Sequence, residues 1–125
     1  MKRSFPNDST APSTSNELDF DLVLFQSIDE AMSVLGGPGK QAVYFYLDKS
    51  FKLKKEDLAV RVDDFSFSLE KIFGIGANFI YDLILKIVSQ KISMDYALLD
   101  INKHSFTVCI SIARENSNNR KVAAR

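Results

Sequence analysis

DDFSFSLEKIFGIGANFIYDLILKIVSQK, residues 63–91, is the stretch on which the fold turns. Apolar side chains recur in it at three- and four-residue steps, the spacing that lines one face of an α-helix. Phe65, Leu69, Ile72 and Phe73 mark the buried side of a helix opening at Asp63 or Asp64, either of which can serve as N-cap. Gly74 ends that helix in the left-handed position that glycine tolerates best. A second helix over residues 75–91 carries Phe79, Ile80, Leu83, Ile84, Ile87 and Val88. So wide an apolar face predicts a central, mostly buried helix.

Upstream, residues 18–35 form another amphipathic helix. Leu18, Leu22, Phe25, Met32 and Leu35 set its stripe, widened by Leu24, Ile28 and Ala31, with Asp29 and Glu30 opposite. Gly36-Gly37 closes it, and Pro38 suits the first turn of the next helix, residues 39–51, because its φ is fixed near the helical value. Val43, Leu47 and Phe51 line that helix. Residues 52–57, with three lysines and two acids, read as a solvated linker.

Residues 96–112 admit two readings. FTVCISI (106–112) alternates like a strand, and a turn at Asn102-Lys103 would pair Leu99 with Phe106 and Ala97 with Val108. As a helix, Ser105 caps it and Phe106, Cys109, Ile110 and Ala113 form an i, i+3, i+4, i+7 stripe. Residues 1–16 (MKRSFPNDSTAPSTSN) and 116–125 are too polar to offset their ordering entropy and are expected to be disordered tails, the second one basic. One domain over 17–115 remains.

Composition narrows the function classes. The chain has 125 residues, 46% hydrophobic, with 16 basic and 16 acidic side chains and a formal charge of zero. That balance argues against a nucleic-acid protein held by bulk electrostatics. The apolar run 79–88, broken by Asp82 and Lys86, is shorter than the roughly 20 residues a bilayer needs. With no apolar segment behind Lys2 and Arg3 to form a secretory signal, a cytoplasmic address is expected and no membrane partner. A single cysteine, Cys109, excludes an internal disulfide, and one Cys with one His makes a poor zinc site. Cys109 reads as a small buried apolar residue.

IDEAMSVLGGPGKQAVYFYLDKSF (28–51), DDFSFSLEKIFGIGANFI (63–80) and the interval between them together resemble the Nitrosopumilus output domain, a small helical family of archaeal signalling proteins. The matching positions are Tyr44, Tyr46 and Leu47, the linker Lys54 to Asp57, Phe65, Leu69 to Gly74, Gly76 and Ala77, about half of the chain. The resemblance implies an all-α domain of four to five helices with a helix, rather than a hairpin, at its end. Val108 and Ile112 depart from the charge expected there. It also implies a non-enzymatic output or interaction module and brings no catalytic residue or cofactor.

The chemistry of the residues gives nothing sharper. GGPGK (36–40) lacks the glycine and the Ser/Thr that a phosphate loop requires, standing instead with Val34 and Gln41 at those places. Gly74-Ile75-Gly76 reads as a helix–helix corner. His104 lies in a polar turn without a locatable acid partner, and Glu56/Asp57 and Asp63/Asp64 read as solvated charge or caps. Two binding features stand out. Tyr44, Phe45 and Tyr46 are consecutive, so one helix cannot bury all three, and at least one is expected to be offered to a protein partner or a second copy. Lys49, Lys52, Lys54 and Lys55, with the basic tail, are the residues a nucleic-acid-binding regulator would use.

Overall fold

The computed structural model describes residues 19–123, and among them there is no strand. Five α-helices follow in order: α1 Phe20–Met32, α2 Gly36–Phe51, α3 Val62–Phe73, α4 Ala77–Lys91 and α5 Phe106–Ala123. Single 3-10 turns join them. The described residues are all-α, and residues 106–112, for which the spacing alone left helix and hairpin open, belong to a helix. Ser105 caps it as expected: its Oγ accepts from Val108 N at 3.2 Å. Phe106, Cys109, Ile110 and Ala113 are all buried.

α4 is the central helix. It packs against α1, α3 and α5, its contact with α1 being the most extensive between any two helices. Its buried residues are Ala77, Ile80, Tyr81, Ile84, Leu85, Val88 and Ser89, while Phe79 is exposed and Leu83 and Ile87 are half-buried. The buried stripe is therefore rotated by about one residue from the expected one. Tyr81 causes the rotation. Its ring stacks on Phe106 at 4.4 Å, and its hydroxyl sits within hydrogen-bond reach of Ser66 and of Glu70 Oε2 on α3. Burial, and then the neighbouring Glu70 carboxylate, push the Tyr81 phenol up to about 12. α1 is rotated likewise: Phe20, Val23, Leu24 and Ile28 are buried and Leu22 is exposed.

Several boundaries differ from expectation. Gly36-Gly37 opens α2 instead of closing the helix before it, because Gly36 turns the chain at φ 80° and the helix follows at once. α4 starts at Ala77, after the 3-10 turn Gly74–Gly76. α1 starts at Phe20, where Asp19 accepts from Asp21 N and Leu22 N. α3 starts at Val62, so Asp63 and Asp64 lie inside its first turn, where they complement the helix dipole, and Asp64 meets Arg61 Nε at 3.0 Å. α5 continues to Ala123, well past the expected limit at 115. Its buried stripe runs on through Ser117, and Arg114 pairs with Asp21 at 2.7 Å while lying over the Phe20 ring. Small and polar residues on that stripe hide it from a hydropathy reading. The expected N-terminal tail, residues 1–16, lies outside the described residues.

The segment after α2 is more than a solvated linker, because Leu53, Leu58 and Ala59 are buried. Lys52 makes the turn possible by taking a left-handed conformation, φ 59° and ψ 36°, and Leu53 N then closes onto Leu47 O at 3.0 Å. An L-residue with a Cβ carries a steric cost there that glycine escapes. Lys52→Gly should raise stability by about 0.5 kcal/mol, the relieved strain exceeding the added freedom of the unfolded chain. Urea unfolding followed by circular dichroism checks it.

The run Val62–Lys91 has a mean hydropathy of 1.5 over its most apolar window, long and apolar enough on composition to cross a membrane. Gly74, at φ 58° and ψ −133°, divides this run into two helices. Ser66 and Tyr81, fifteen residues apart, consequently touch.

Candidate functional site

α2 is held to the body by one narrow face. Gly36, at φ 80° and ψ 163°, lets the chain leave the turn after α1 and start α2 at once. Along α2, Lys40, Tyr44, Leu47 and Phe51 then follow at helical spacing. Lys40 Nζ donates to Asp29 Oδ2 at 3.0 Å and to Ser33 Oγ at 3.2 Å, and the Tyr44 hydroxyl donates to Asp29 Oδ1 at 2.8 Å. Both oxygens of one carboxylate on α1 are thus used to fix α2. Lys55 Nζ covers the Tyr44 ring at 4.9 Å from its centroid.

This triad sets its own titration. Partial burial favours the neutral Asp29 carboxyl, but the hydrogen bonds from Lys40 and Tyr44 and the charges of Lys40 and Lys55 outweigh it and hold the group below the usual carboxylate range. Burial first, then Asp29, raises the Tyr44 phenol far above its ordinary value. A depressed carboxylate stabilises the fold above its unfolded-state pKa and ceases to do so as pH falls through the folded one. Asp29→Asn should therefore lower stability at neutral pH and flatten the acid limb of the stability curve below about pH 4. Thermal melts across that range check it.

The opposite face of α2 is apolar and open. Of its sixteen residues only Tyr44 and Leu47 are buried. Phe45 is 64% exposed and Tyr46 49%. Pro38, Ala42, Val43, Phe45 and Tyr46 line, with Ile72 from the end of α3, a groove of about 690 Å³. On the other side of Phe45 lies a second, polar groove of about 360 Å³, bounded by Tyr44, Asp48, Lys54, Lys55 and Glu56. Phe45 is the ridge between the two, and Lys49 Nζ lies 5.7 Å from its ring centroid.

The three consecutive aromatics thus separate. Tyr44 is part of the core and is corrected from the partner-binding set, because its hydroxyl finds Asp29. Phe45 and Tyr46 remain on the surface. The four lysines do not gather into one free cationic face: Lys54 pairs with Asp48 at 3.6 Å, Lys49 and Lys55 lie over rings, and Lys52 serves the turn. Pro38, Ala42 and Ile72 are groove residues that sequence reasoning passed over. Their signal was a second stripe on α2, residues 38, 42, 45, 46 and 49, opposite the stripe that binds α1.

Elsewhere the chemistry is quiet. Cys109 is buried, and burial, then Asp100, raises its thiol pKa, which disfavours the nucleophilic thiolate. His104 lies exposed in the turn before α5, its backbone N donating to Asp100 O at 3.0 Å. No group of three or more His, Cys, Asp or Glu side chains among the described residues is placed to hold a metal ion. Compared with family models, curated proteins and solved structures, the chain gives no match.

Proposed function

We propose that this chain is a non-enzymatic interaction module, working in archaeal signalling or regulation as its family resemblance implies, and that it docks a protein through the outer face of α2. One observation carries the reading: α2 turns Phe45 and Tyr46 outward beside an apolar groove while burying only two of its residues. Single exposed apolar side chains are ordinary on protein surfaces. Contiguous ones with a groove between them are the usual mark of a docking surface. Covering the exposed parts of these two rings would contribute roughly 1–2 kcal/mol each, enough to make them anchors.

The test compares the full chain with Phe45→Ser and Tyr46→Ser, as affinity baits and by light scattering after size exclusion. A protein retained by the wild type, or self-association, that Phe45→Ser removes without lowering the melting temperature supports the reading. A strictly monomeric chain that retains the same proteins with and without Phe45 contradicts it.

A further inference from the structure

The charge around the α2 face says what kind of partner fits it. From residue 36 to residue 55 the chain has five lysines (Lys40, Lys49, Lys52, Lys54, Lys55) and one acid, Asp48, although its overall charge is zero. Two of the five are matched, Lys40 by Asp29 and Lys54 by Asp48. Lys49 is exposed beside the Phe45 ring on the groove's own stripe, and Lys55 is exposed on the polar side of the ridge, over the Tyr44 ring. Neither has a carboxylate in salt-bridge contact among the described residues, although the Lys55 charge reaches Asp29. An apolar groove and two cations without a carboxylate partner in contact therefore stand within one side chain's breadth of each other.

We propose that this face takes an acidic amphipathic segment of a partner protein, an inference that rests on the docking role proposed above. Large aliphatic or aromatic side chains of the segment enter the groove between Pro38, Ala42, Tyr46 and Ile72. Asp or Glu within a helical turn of those anchors meets Lys49 beside the groove and Lys55 across the Phe45 ridge. The groove volume, about 690 Å³, lies in the range of sites that accept a few such side chains. A second copy of the chain fits less well, because a two-fold contact through α2 would bring these lysines towards their own counterparts. A nucleic-acid backbone would engage the lysines but leave the apolar groove uncovered.

The experiment is selection of a random peptide library displayed on phage against the immobilised full chain, run in parallel on Phe45→Ser. Peptides retained by the wild type and lost on Phe45→Ser should carry Asp or Glu within four residues of a large apolar anchor. One such peptide, labelled and titrated by fluorescence anisotropy, should lose roughly tenfold in affinity to the Lys49→Glu/Lys55→Glu chain and weaken as salt is raised. Phe45-dependent peptides that are neutral or basic, or an acidic one indifferent to the lysine reversal, would overturn the acidic assignment and leave the docking face standing. Peptides retained equally by both chains, or no enrichment at all, would overturn the docking face itself. Phe45-dependent binding of a labelled oligothymidylate in place of any peptide would assign the face to nucleic acid and sink the proposal.

Discussion

Phe65→Ala should destabilise the domain by about 3–5 kcal/mol, the largest loss expected from any single truncation discussed for this chain. Phe65 is completely buried on α3 and meets Phe106 of α5 edge-on at 6.4 Å. Phe106 in turn stacks on Tyr81 of α4. Three helices thus share one aromatic cluster, and the hole left by the ring cannot be filled without moving all of them. A domain of this size has a total stability of about 5–15 kcal/mol, so the loss removes a large fraction of it. Phe65→Leu keeps most of the volume and should cost about 1.5 kcal/mol. Urea unfolding of both variants checks the pair. A loss under about 1 kcal/mol for the alanine would mean the cluster is not the core of the domain.

The second large effect is a difference in sign within three residues. Gly74→Val should cost about 1–3 kcal/mol, whereas Gly76→Ala should be neutral or raise stability by a few tenths. A Cβ added at Gly74 would meet nothing within 4 Å, so crowding plays no part. The cost is backbone alone: φ 58° with ψ −133° is a conformation that glycine occupies and a β-branched residue resists. Gly76 is already helical at φ −64°, and its added Cβ would sit 3.8 Å from Phe73 Cβ, an ordinary contact. Equal effects at the two positions would mean that the corner between α3 and α4 is not fixed as described.

These residues also show where the sequence speaks and where it falls silent. Gly74 announces its corner because few other residues hold that conformation. Ser105 and the Phe106–Ala113 stripe announce α5, since a cap followed by helical spacing has a physical cause visible in one segment. The rotation of α1 and α4 is different. With Phe79, Ile80, Leu83, Leu85 and Ile87 on every side, several faces of α4 could turn inward, and Tyr81's contacts to α3 and α5 decide among them. A helix cannot carry that information alone. The site follows the same rule. That α2 must expose an aromatic ring is arithmetic on three consecutive residues. That the exposed ones are Phe45 and Tyr46 depends on Asp29, fifteen residues before Tyr44, holding the third. Lysines near one another in sequence likewise looked like a single cationic cluster until Asp48 and two aromatic rings divided them.

The outer face of α2 is the centre of the account, and site-specific photo-crosslinking tests it most directly. A benzophenone amino acid placed at Phe45 of the full chain, irradiated in an extract of the source organism, should give a discrete adduct, either to one protein or to a second copy. The same group at Val108, an exposed apolar position on α5, should give none. No adduct at position 45, or the same adducts at both positions, would contradict the claim that α2 holds this face outward for a partner.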